Sequence, residues 1–113
     1  MEINKLDHPS VLLIQITGKF DLEQAEYFQE QYKLLTQSSP GVVCLDMQKV
    51  QFIDSSGLGA LIKALNSTRG FGGELILVGL NAVILNVFRL AKLDNFFKLL
   101  SEAEFQRKYP AND

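Results

Sequence analysis

The sequence predicts an α/β protein with a mixed, largely parallel sheet of four to five strands carrying three to four helices. Three observations predict it. Short apolar runs of strand-forming residues alternate with segments of helical periodicity, two strand-like runs stand together at the start, and turn residues separate nearly every pair of elements. At 113 residues, 47% of them apolar, the chain has the size and composition of a single domain that needs neither disulfide nor metal to bury a core. Residues 1–110 are expected to form that domain, with 111–113 a frayed tail.

Ile3 to Leu6 alternates apolar and polar residues, Asp7-His8-Pro9-Ser10 reads as a turn, and Val11 to Thr17 is rich in strand formers before Gly18. Together they predict an opening hairpin. Asp21 and Gln24 have the spacing of a capping box, and Leu22, Ala25, Phe28, Tyr32 and Leu35 then recur near helical period, up to the breaker Ser38-Ser39-Pro40-Gly41. Val42 to Met47 is too short for a typical helix and suits a central strand buried on both faces. Leu58, Leu61, Ile62 and Leu65 lie at i, i+3, i+4 and i+7, the stripe of a second helix ending near Arg69 to Gly73. Glu74 to Gly79 is a further buried strand, and Asn81 is placed to cap a third helix with Val83, Ile84, Val87, Phe88 and Ala91 on its core side, running to about Leu93. This leaves Leu85, Leu90 and Leu93 facing partly outward. Phe96 to Leu100 reads as an edge strand. Ser101 and Glu104 then form a capping box, flanked by Leu100 and Phe105 as a hydrophobic staple, for a terminal helix fraying by Pro110.

Composition excludes several classes of function. Thirteen acidic residues nearly balance eleven basic ones with no block of like charge, so neither a nucleic-acid footprint nor a polybasic membrane patch is present. No apolar stretch nears the roughly 20 residues that span a bilayer, and Met1 to Lys5 lacks the charged and apolar regions of a signal peptide, so a cytoplasmic protein without membrane insertion is expected. One cysteine, Cys44, and one histidine, His8, cannot supply a zinc site. Cys44 sits in an apolar run and reads as a buried, inert thiol, and His8 reads as a surface turn residue. A nucleophilic serine needs a base, and none is placed to serve one. These observations point away from an enzyme and give no reason to expect a cofactor.

The most informative segment is Asp54-Ser55-Ser56-Gly57-Leu58-Gly59-Ala60-Leu61. It links a strand end to a helix start, where backbone N–H groups point outward and the helix dipole favours negative charge. Asp54, Ser55 and Ser56 are all ordinary capping residues, and a purely capping role fits them. However, neither serine has a Glu or Gln three residues on, and Gly57 and Gly59 are expected to leave the first turn bare to an approaching protein.

The octet D-S-S-G-L-G-A-L, preceded by V-x-F-I, resembles the signature of STAS domains, specifically bacterial anti-sigma factor antagonists. The resemblance extends to Gly18-Lys19-Phe20-Asp21 before the first helix, Val43 to Asp46, Gly72 to Val78 and Val83 to Phe96, and so covers nearly the whole chain. It implies a STAS-type fold. It also implies that Ser55, or alternatively Ser56, is phosphorylated by an anti-sigma factor that is itself a serine kinase, with a metal-dependent serine phosphatase resetting the switch. The unphosphorylated protein would bind the kinase and release the sigma factor. The expected partner surface comprises Asp21, Asp54, Ser55, Ser56, Gly57, Leu58 and Gly59 and reaches Leu85 on the third helix. A different STAS role, as a stand-alone subunit of a lipid-type ABC transporter or in a partner-switching cascade not ending on a sigma factor, is the alternative that the resemblance leaves open.

Overall fold

In the computed structural model, which describes residues 1–111, nine elements follow one another: β1 (Glu2–Leu6), β2 (Leu12–Phe20), α1 (Leu22–Leu35), β3 (Val42–Ile53), α2 (Ser55–Gly70), β4 (Glu74–Val78), α3 (Ala82–Leu90), β5 (Lys98–Leu100) and α4 (Glu102–Lys108). Residues 112–113 of the expected tail lie outside this range. The strands form one sheet in sequence order, β1-β2-β3-β4-β5. β1 pairs antiparallel with β2, from Glu2 opposite Thr17 to Leu6 opposite Leu13, and the three remaining pairings are parallel. The predicted mixed, largely parallel architecture is therefore the one observed, with five strands and four helices.

The two faces of the sheet are covered unequally. Inward residues of β2, β3 and β4, such as Ile14, Ile16, Leu45, Met47 and Leu77, pack with Phe28 and Tyr32 of α1, Leu61 and Leu65 of α2, and Ile84 and Phe88 of α3. On the opposite face Cys44, Ile76 and Val78 meet Phe105 of α4, with Leu13, Leu100 and Tyr109 at the margin. Cys44 is fully buried there, and burial pushes its thiol up to about 12, as expected for an unreactive cysteine.

Helix ends follow from local chemistry. α2 closes with Gly72 at φ +81°, its N–H donating to the Arg69 carbonyl while the Gly73 N–H donates to Thr68. α3 ends the same way on a non-glycine residue: Lys92 adopts φ +59°, its N–H donates to Arg89, and the Leu93 N–H donates to Phe88. The third helix thus stops at Leu90 instead of Leu93. The Ser101–Glu104 capping box of α4 is complete, and Leu100 packs beside buried Phe105. At α1 the Asp21 side chain accepts from the Gln24 N–H at 3.3 Å, the half of the predicted box contributed by the cap residue.

Other expectations are corrected. The edge strand covers only Lys98–Leu100 of the expected Phe96 to Leu100, because the N–H groups of Phe96 and Phe97 turn back to the Leu93 carbonyl. β3 runs to Ile53, six residues past Met47, and β2 runs to Phe20. Val83, assigned to the core side of α3, is 69% exposed, because Ile84 and Phe88, with half-buried Val87 beside them, fill the space above the sheet; Ala91 is exposed as well. Leu22, placed in the α1 core stripe, is 71% exposed at the first helical position. His8 does more than sit in a turn. Its Nδ1 accepts from the Ser10 N–H, so Nε2 carries the proton and donates to the Tyr109 carbonyl at 2.9 Å, tying the first hairpin to the end of α4.

Candidate functional site

All the parallel strands end at one edge of the sheet, and each is followed within three residues by a helix N-cap: Asp21 after β2, Asp54 after β3, Asn81 after β4 and Ser101 after β5. Open α/β sheets place their ligand sites outside the carboxyl ends of the strands. Asp21 and Asp54 have nearly the same extended backbone conformation, φ −111° with ψ −175° and −174°. They differ in what their carboxylates hold.

Asp54 joins two helices. Its Oδ1 accepts from the N–H groups of Ser56 at 2.9 Å and Gly57 at 3.0 Å, while Oδ2 accepts from the Leu22 N–H at 3.3 Å, at the start of α1. Its own N–H donates to the Phe20 carbonyl at 3.3 Å, the last residue of β2. The Leu58 N–H begins the intrahelical ladder on the Asp54 carbonyl. Of the free donors that open a helix, this leaves the Ser55 N–H without a capping partner. Ser55 is exposed at the first position of α2, and its hydroxyl enters none of the hydrogen bonds among the described residues. Ser56 is half-buried. It faces a cleft of about 540 Å³ between α1 and α2, lined also by Leu22, Glu26, Gln29, Gly59 and Lys63.

The two glycines have opposite surroundings. A Cβ on Gly57 would lie well inside contact distance of the Phe20 carbonyl oxygen, 2.8 Å from Ile53 Cγ1 and 2.9 Å from Phe20 Cδ1. At Gly59 it would meet nothing within 4 Å. The expectation that Gly57 opens the first turn to a partner is therefore wrong: its missing side chain is what lets α2 press onto the ends of β2 and β3, and Gly59 is the open position. Leu58 is also withdrawn from the surface, 8% exposed within the main core. Of the predicted partner residues, the structure gathers Asp54, Ser55, Ser56 and Gly59 at one surface. Half-buried Asp21 starts the neighbouring helix.

Leu85 belongs elsewhere. It is half-buried on the flank of α3 that faces β5 and α4, lining a cleft of about 270 Å³ with Leu80, Leu99, Leu100, Ser101 and Glu104, none of which borders the Ser56–Gly59 cleft. It is thus packed against its own chain more than it is presented outward. Leu90 is the outward leucine, 78% exposed. Sequence reasoning missed Leu22, whose backbone Asp54 holds and whose side chain borders the serine cleft. Its place directly after a cap residue, where an apolar side chain has little helix to pack beneath, was the signal available.

The anti-sigma-B factor antagonist of Listeria monocytogenes is 27% identical over 86 residues, spanning 76% of this chain and 75% of that protein. An anti-sigma factor antagonist from Mycobacterium paratuberculosis has the same fold, with a TM-score of 0.77 and 22% identity over 99% of this chain and 87% of that one. The Bacillus cell fate determinant SpoIIAA in its phosphorylated form superimposes with a TM-score of 0.67 and 18% identity, covering 95% of this chain and 96% of that one. The STAS domain family profile matches residues 2–105, from the first strand into the last helix. This chain belongs to the STAS domain family.

Proposed function

We propose that this protein is an anti-sigma factor antagonist, a binding module whose partner is a serine-kinase anti-sigma factor and whose switch is phosphorylation of Ser55. The observation that carries the reading is the exposed, uncommitted Ser55 hydroxyl at the first position of α2, beside a carboxylate already committed to the helix frame. Similarity to the Listeria antagonist and to a fold known in a phosphorylated form supports it.

The geometry suits a switch that leaves the fold intact. A phosphate adds about −1.5 to −2 charges. Because Asp54 already occupies the Ser56 and Gly57 N–H groups, a phosphate on Ser55 finds only its own N–H free in the first turn and projects into solvent. A docked partner would then face the phosphate next to the Asp54 carboxylate, and burying such charge unpaired costs several kcal/mol. In the unmodified protein the same surface offers a neutral hydroxyl, half-buried Ser56 and open Gly59. A metal-dependent serine phosphatase would restore that state.

Incubation with the cognate kinase and ATP, followed by intact-mass measurement and site mapping, tests the assignment. One phosphate on Ser55 is expected. Phosphate on Ser56 instead, or on neither serine, overturns it.

A further inference from the structure

Two helix faces outside the serine site are apolar, exposed and oppositely charged. On α1, Glu23, Tyr27, Glu30 and Leu34 fall at i, i+4, i+7 and i+11 and so share one side of the helix, with Glu26, which also borders the serine cleft, beside them. Tyr27 is 41% and Leu34 56% exposed, and all three glutamates face solvent. On α3, Val83 and Leu90 are 69% and 78% exposed, with Asn86 between them and the exposed Arg89 and Lys92 alongside. α1 carries three glutamates against Lys33, a net charge of −2, whereas Asn81 to Leu93 holds Arg89 and Lys92 and no acid, a net charge of +2. The one salt bridge among the described residues, Lys98 to Glu74, uses none of these groups.

We infer that the α1 face of one copy of this chain docks on the α3 face of another. The apolar pairs match: Tyr27 and Leu34, like Val83 and Leu90, are seven residues apart, two helical turns or about 10.5 Å, so the side chains of one helix can seat between those of the other. The glutamate row then lies against Arg89 and Lys92. Because the two faces are on different helices, the contact is head-to-tail, leaves a free face at each end and continues to further copies. One helix-on-helix contact is small, so association is concentration-dependent, and its charged part weakens with salt.

Sedimentation of the full chain over micromolar to millimolar concentration tests this, with two surface variants, Glu23→Lys/Glu30→Lys and Arg89→Glu/Lys92→Glu, each first checked for an unchanged melting transition. Wild type is expected to self-associate and to dissociate in high salt, and each variant alone to remain monomeric. An equal mixture of the two should associate again, because each reversed face meets a complementary one. A wild type monomeric throughout, a variant that still self-associates, or a mixture that stays monomeric would overturn the inference. So would a monomeric wild type that co-sediments with phosphatidylglycerol vesicles through Arg89 and Lys92, since the α3 face would then serve a membrane.

Discussion

Replacing Gly57 with alanine adds one methyl group where α2 meets the end of β2. That methyl would overlap the Phe20 carbonyl oxygen and crowd Ile53 Cγ1 and Phe20 Cδ1 at 2.8 and 2.9 Å. The carbonyl is backbone, so relief requires moving β2 or the helix, and the Asp54 N–H bond to the same oxygen would be strained with it. Overpacking of this kind costs about 1–3 kcal/mol. Alanine recovers at most about 1 kcal/mol of helix propensity. Because the closest overlap is with a backbone atom, the cost lies in the upper part of that range, so the net loss is about 1–2 kcal/mol, a fall in Tm of roughly 4–8 °C for a chain of this size. Gly59→Ala is the internal control: the same chemical change two residues along the same helix meets open space and should stabilise by about 0.5–1 kcal/mol. Urea unfolding of both variants against wild type measures the pair. Gly57→Ala equal to or above wild type in stability, or both variants shifting in the same direction, would refute the packing argument.

Three further outcomes follow. Asp54→Ala removes a cap serving Ser56, Gly57 and Leu22 at once and should lower the unfolding free energy by about 1–2 kcal/mol, the upper range for a capping residue, in urea melts. Tyr32 is buried against Thr68, and burial pushes its hydroxyl up to about 12. The folded state therefore keeps this proton through a range in which the unfolded chain, titrating at 10.0, has released it, so the contribution is full below pH 10 and is lost as pH rises toward 12. Tyr32→Phe should cost about 1 kcal/mol at neutral pH, and the gap to wild type should narrow above pH 10; a gap constant across that range would contradict this. Cys44 should stay unreactive toward a thiol reagent at pH 8 in the folded protein and react at once in denaturant, whereas rapid reaction when folded would show that the sheet face under α4 is open.

The alternation of strand runs with helical stripes was enough to predict the sheet and its crossovers, since each element announces itself within its own ten or so residues. The second half of β3 was not readable for a local reason. Met47, Val50 and Ile53 all face the main core at three-residue spacing, because the pairing with β2 shifts register between Gln15 and Thr17 and again between Gly18 and Lys19. A strand broken by such shifts loses its two-residue period and resembles a helix. Asp54 as a cap was legible from residue type and position. Its bond to Leu22 and the fit of Gly57 against Phe20 were not, because both contacts join segments more than thirty residues apart and neither leaves a trace in local pattern. Val83 was misplaced because helical spacing marks a face without saying how deeply the helix lies on the sheet. On α3 only Ile84 and Phe88 reach the core fully.

The affinity of the anti-sigma kinase for Ser55→Ala and Ser55→Asp, measured side by side by titration calorimetry, tests the central claim most directly. Ser55 is exposed and outside the hydrogen-bonded frame of α2, so both proteins should melt close to wild type. The alanine protein should bind constitutively, and the aspartate protein at least tenfold more weakly, a difference of about 1.4 kcal/mol. Equal affinity of the two for the kinase would contradict the account.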